Sequence, residues 1–280
     1  KGSVQTLQYR GIDDNHLEHW DRCRAGPHWF KIKKSIKGWR VQTLEKTVEA
    51  KSIKQQATSR KLQAASALKK TQWFNIMNLE SMNTQQAWDL VGGLSKPSKM
   101  PGWAYGIPAK ECKTGGKLQK VEGSVCYNCY ALKGCYVFKV VQNAQYRRLA
   151  SIKHELWTGA MALLINSKKS KVFRWHDSGD VQDEDHLNKI FAVCKLTPTV
   201  KHWMPTREAW VKAFMPMCPD NLVIRFSMPM INQRAAGGWA NTSTVVTGGA
   251  TCPAPKQNNE CKNCRNCWNK DISNISYGKH

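Results

Sequence analysis

The chain has 280 residues, is 41 % hydrophobic and carries a formal net charge of +23, from 43 Lys and Arg against 20 Asp and Glu. That length buries a real core, and no apolar run approaches the ~18–20 residues of a membrane span, so a helical membrane protein is excluded. Eleven cysteines, clustered and odd in number, fit metal ligation in a reducing cytoplasm better than a secreted disulfide framework. The first residues show no signal-peptide pattern. A positive surplus of this size repels itself in a compact fold, so the natural counterpart is a polyanion, nucleic acid first.

Residues 1–87 are expected to form a basic, mainly helical N-terminal region. A short helix is expected from Asp14 through Trp20, and His28–Trp39 is a basic run with aromatics interleaved. Thr43–Leu68 has no Gly or Pro and predicts a long helix with a weak apolar stripe. Its Lys51, Lys54, Arg60 and Lys61 suit either a nucleic-acid-binding arm or a solvated face.

Residues 88–280 are expected to form a cysteine-rich domain. Val91–Gly102 is dense in turn formers, and Ala104–Ala109 is a short extended piece. Thr114–Lys117 is too short for a phosphate-binding loop. Val137–Leu164 has a helical apolar period. Lys171–His176, Val200–Met204 and Asn221–Met228 then predict strands, separated by helices over Asp183–Lys195 and Glu208–Met215. This alternation argues for parallel βαβ units, too few for a full eight-fold barrel. The expected fold is α/β, a partial βα barrel or an open, mostly parallel sheet.

In such folds ligands bind at the carboxyl ends of the strands. His176, Asp177, Asp180, Thr206, Arg207 and Ser227 fall there, and His176, Asp177, Asp180 and Arg207 are the catalytic candidates. His176 and Asp177 would handle protons, and Arg174, Arg207 and Arg225 would bind an anion. Each has a plainer reading: a turn residue for Asp177, a helix cap for Asp180, a core histidine for His176.

The cysteines carry the strongest signal. Cys261-x2-Cys264-x2-Cys267, with Cys252 upstream, has the spacing of ferredoxin-type [4Fe–4S] ligation, with a zinc site as the alternative. Cys112, Cys126 and Cys129 form a second group, so one or two clusters are expected. The C-terminal trio either keeps Cys252 or shares a centre with Cys126 and Cys129. Cys135 lies close enough to Cys129 to complete a local set, whereas Cys23, Cys194 and Cys218 read as non-ligands.

Pro101–Ala109 with Cys112, Cys126–Ala131, Phe173–Asp180, Pro205–Arg207 and the Cys252–Trp268 tail together resemble the gene-product-88 family of bacteriophage proteins, over roughly residues 88–272. The resemblance implies a phage or prophage origin and hence a host cytoplasm. A wider similarity links Cys112, Cys126 and Cys129 to radical SAM enzymes, in which three cysteines hold a [4Fe–4S] cluster whose fourth iron binds S-adenosylmethionine. Here the spacing is x13 and x2 rather than x3 and x2, and Asp180 after Ser178-Gly179 stands in loosely for the Gly-Gly-Glu strand. Three readings follow: a phage-type iron–sulfur protein with a nucleic-acid-binding surface, a radical SAM-like enzyme, or a zinc-stabilised nucleic-acid-binding module.

Overall fold

The computed structural model describes residues 81–279 and, before them, the backbone of three short strands. The chain divides into two compact units, Lys1–Trp73 and Phe74–His280. In the first, β1 (His19–Arg22), β2 (Trp29–Ser35) and β3 (Gly38–Val41) form an antiparallel sheet in that order. The helix expected over Thr43–Leu68 and the residues Asp14–Glu18 lie outside the described residues. Where this region is described it is strand and not helix. Within Trp29–Ser35 the stretch Phe30-Lys31-Ile32-Lys33 alternates apolar and polar, and Trp29, Phe30 and Ile32 are aromatic or β-branched, which favours a strand.

The second unit is built on six parallel strands that follow one another across the sheet in chain order. They are β4 (Trp103–Tyr105), β5 (Val172–Trp175), β6 (Lys201–Thr206), β7 (Leu222–Ser227), β8 (Thr242–Val246) and β9 (Asn274–Gly278). Pairing runs from β4 to β9 without return, so the sheet is open. Among the described residues five α-helices accompany it: α1 (Thr84–Val91), α2 (Lys113–Leu118), α3 (Lys139–Ser151), α4 (Trp157–Ser167) and α5 (Glu184–Leu196). Helix α5 shows why the sequence was readable: Asp183 accepts the His186 amide at 2.9 Å as N-cap, while Leu187, Ile190, Phe191 and Cys194 form the buried stripe.

The main core packs Tyr105, Phe173, Trp175, Met204 and Ile224 of the strands against Ala87, Trp157, Met161, Leu187 and Ile190 of the helices. Strand residues alternate faces, so Val172 and Trp203 enter a second, smaller cluster with Trp268, Met100, Cys267 and Tyr277. The cysteine-rich tail therefore covers part of the sheet face opposite this main core. Trp268 fastens it there by donating from Nε1 to the Phe173 carbonyl at 2.8 Å.

Two buried histidines make this core acid-sensitive. His202 is fully buried, stacks on Trp175 and holds Thr197 Oγ1 at 2.8 Å from Nε2; burial lowers its pKa to about 3. His186 is lowered to about 4, again chiefly by burial. The folded state keeps both rings neutral, while the unfolded chain protonates them near ~6.5. Stability is therefore full above that pH and falls as pH drops towards the folded values. Thermal melting of wild type and His202→Phe between pH 7 and pH 4 is expected to show a shallower loss in the variant, by up to roughly 3 kcal/mol. Equal slopes would refute the assignment.

Candidate functional site

A cavity of about 1400 Å³ opens at the carboxyl edge of the sheet. Cys112, Cys126 and Cys129 line one part of it and Cys252, Cys261 and Cys267 another, with His176, Asp177, Asp180, Thr206, Arg207 and Ser227 between. Chain order explains the convergence. The loop after β4 carries the first three cysteines, β5 to β7 end in the polar residues, and the β8–β9 connection returns the cysteine tail.

The first group is crowded, with Cys126 buried and Cys112 and Cys129 half-buried. Cys112 and Cys126 are pushed up by burial, and for Cys112 the neighbouring Asp180, Cys129 and Cys126 push the same way while Arg207 opposes them. A Cβ added at Gly115 would stand 3.6 Å from both the Cys112 and Cys126 sulfurs. The tightest neighbour of that Cβ would be Cys112 Cβ at 3.0 Å, so glycine lets the Cys112 side chain pack closely here. Glu208, buried at the exit of β6, holds this loop: its carboxylate accepts the Thr114 amide and hydroxyl, each at 2.9 Å, and Trp210 Nε1 at 3.2 Å. Val125 N donates to the Pro229 carbonyl at 2.8 Å and pins the loop from the other side. Sequence reasoning passed over Glu208 because an acid after Thr206-Arg207 reads as the start of a helix.

The polar floor is only partly satisfied. Asp180 accepts from the Val181 amide through Oδ1 and the Arg207 amide through Oδ2, each at 2.8 Å, so it clasps the ends of β5 and β6 together. Burial raises its pKa to about 6. Asp177 is raised as well, chiefly by burial and against Arg174 and Arg148. Both ring nitrogens of His176, Asp177 Oδ1, Ser178 Oγ and Arg207 Nε are buried without a partner. His176 also has φ 56°, a left-handed conformation unusual for a non-glycine residue and common at functional sites. Its pKa is lowered by burial, then by His186 and Arg174. Gly179 (φ 80°) lets the turn pass beneath Ile107, whose carbonyl oxygen an added Cβ would approach to 2.7 Å.

The arginines separate. Arg174 lies over Trp203 at 4.7 Å, with Nη1 at 2.9 Å from Met100 Sδ and Nη2 at 3.4 Å from Tyr130 Oη, and lines the cavity. Arg225 does not bind an anion. It is fully buried, and its guanidinium donates to the carbonyls of Cys267, Asn266, Asn269, Ile272 and Thr242 at 2.7–3.4 Å. The sequence placed it near a strand end, but the alternation of β7 turns it under the cysteine tail.

That tail brings its four thiols to one small enclosed space of about 20 Å³, lined by Cys252, Cys261, Cys264, Cys267, Trp268 and Ile275 among others. Cys252 lines this space together with the trio. Cys261 N donates to the Lys99 carbonyl at 2.9 Å and Cys252 N to the Ser276 carbonyl at 3.0 Å. Burial raises Cys267 to about 11, against the hydrogen bond it shares with Tyr277 Oη at 3.3 Å. Cys135 is exposed and lines the large cavity; Cys194 is in the core and Cys218 packs beside it, while Cys23 lies outside the described residues. Among the described residues, no group of three or more His, Cys, Asp or Glu side chains is arranged to hold a metal ion.

The family model for gene product 88 matches residues 77–247. The chain belongs to the gene product 88 family. In this gene product 88 protein the match takes in Cys112, Cys126, Cys129 and the ends of β5 to β7, and stops before Cys252. The resemblance expected through about residue 272 is thus shown only as far as β8. Comparison with curated proteins and with solved structures yields no match. No described helix is long and apolar enough to cross a membrane.

Proposed function

We propose that this is an iron–sulfur enzyme of radical SAM type, of phage origin and acting in the host cytoplasm. Cys112, Cys126 and Cys129 would hold a [4Fe–4S] cluster with one iron left open, and Cys252, Cys261, Cys264 and Cys267 would enclose a second. The observation that carries the reading is the grouping of Cys112, Cys126 and Cys129 beside unpartnered polar atoms on one large cavity, which Cys135, Cys252, Cys261 and Cys267 line as well. A zinc ion draws its thiolates onto one centre at ~2.3 Å, whereas a cluster spreads them around a cube. The space of about 20 Å³ shared by the C-terminal thiols is the size of a single ion, so zinc is the second reading there.

When bound, such a cluster supplies an electron at low potential to the ligand on its open iron. The protein's own residues suit the amino-acid end of S-adenosylmethionine. Asp177 Oδ1 is a free acceptor for an ammonium group, and Arg207 Nε a free donor for a carboxylate. His176, kept neutral by burial, offers its unpartnered ring nitrogens as one hydrogen-bond donor and one acceptor to a bound ligand. The charge of +23 supports nucleic acid as the partner.

Anaerobic reconstitution, reduction and incubation with S-adenosylmethionine is expected to release 5′-deoxyadenosine and methionine. A protein with iron and absorption near ~400 nm but no such products would leave only a structural or electron-transferring cluster.

A further inference from the structure

We propose that the mouth of the cavity takes single-stranded nucleic acid, with phosphates along Lys96, Lys99 and Lys279 and a base laid against Tyr127 and Phe138. This names the substrate class of the enzyme reading above and rests on the same cavity. Of the described large hydrophobic side chains that stand exposed, seven lie between Val121 and Tyr146, on and after the segment carrying Cys126 and Cys129. Tyr127 is 50 % exposed, Tyr130 51 % and Phe138 60 %. A soluble protein rarely gathers so much open apolar surface unless something covers it. Tyr127 and Tyr130 line the cavity, and Phe138 sits in the chain between the lining residues Tyr136 and Val140.

Charge selects the partner. Six basic side chains line the cavity against three acidic ones. Lys96, Lys99 and Lys279 among them are exposed, while Arg148 is spent on Gly93, Ser95 and Gly106. Lys96 Nζ lies over the Trp103 ring at 5.5 Å and stays open to solvent, and exposed cations beside flat aromatic rings match a chain of phosphates and bases. The aromatic faces are useful only to bases already out of a duplex, which selects single strands. Volume agrees: about 1400 Å³ exceeds the roughly 300–1,000 Å³ of a single small-molecule site, leaving room for a nucleotide beside a cofactor.

The test is fluorescence anisotropy on the full chain, with labelled single-stranded DNA and RNA oligonucleotides and their duplexes. Single strands are expected to bind at least about tenfold more tightly than duplexes. Tyr127→Ala and Phe138→Ala should each weaken binding by about 5- to 100-fold. The triple change Lys96→Ala, Lys99→Ala, Lys279→Ala should reduce the slope of log affinity against log salt by about 2–3. Phe138 lies outside the cysteine loop, so unchanged iron in Phe138→Ala separates lost binding from a lost cluster. Wild-type affinity in both aromatic variants, or 4-thiouridine crosslinks confined to residues 1–73, would overturn the proposal. Binding as described without any S-adenosylmethionine cleavage would sustain this surface and defeat the enzyme reading.

Discussion

Arg225→Met is expected to destabilise the second unit by roughly 3–5 kcal/mol and to loosen the C-terminal cysteine tail. The guanidinium is fully buried, and every one of its contacts in the tail and on β8 is a backbone carbonyl. Each carbonyl left without a donor loses about 1–3 kcal/mol. Relief from burying the cation, whose pKa burial lowers, returns part of this. For a domain of this size 1 kcal/mol moves the melting midpoint by about 2–4 °C, so a fall of roughly 10 °C is expected. Arg225→Lys should fall between, because an ammonium has three donors and no planar fork. A midpoint within about 2 °C of wild type in Arg225→Met would show that the staple does not hold the tail.

Cys112→Ala is expected to abolish S-adenosylmethionine cleavage, by at least about 10³-fold, while keeping roughly half of the iron. Cys264→Ala should lose the other half and leave the pocket around Asp177 and Arg207 able to bind ligand. The separation follows from geometry, since Cys112 shares its surroundings with Cys126 and Cys129, whereas Cys264 lines only the small space beneath Trp268. Cleavage at the wild-type rate by Cys112→Ala would remove the three-cysteine site from the chemistry.

The middle of the domain was legible because its residues agree at every level. β5, β6 and β7 are apolar runs that end in turn or polar residues, as strands buried on both faces should be. β8 and β9 were not foreseen. Thr242–Val246 and Asn274–Gly278 are rich in Ser, Thr and Asn, and they are tied by side chains no pattern reveals, such as Asn241 Nδ2 to the Lys270 and Ile272 carbonyls at 2.7 and 3.0 Å. The single helix expected over Val137–Leu164 is two. It breaks where Ser151 Oγ donates back to the Arg148 carbonyl at 2.8 Å and His154 Nδ1 accepts the Leu156 amide at 3.1 Å. The helix expected over Glu208–Met215 is a run of 3₁₀ turns, Ala209–Met217, with Pro216 inside it.

The site was half legible. Strand-end residues and cysteine spacings found His176, Asp177, Asp180, Arg207 and both thiol groups. Which arginine faces the cavity depends on strand alternation and on what covers the far face, so Arg225 was misjudged. Gly115 and Glu208 act through close packing they allow or loops they hold, and neither leaves a spacing signature.

Iron and acid-labile sulfide per chain, measured on anaerobically purified wild type, test the central claim most directly. Two clusters give about eight of each, with a brown protein absorbing near ~400 nm. A colourless protein without iron after reconstitution, or one carrying a single zinc, would contradict it.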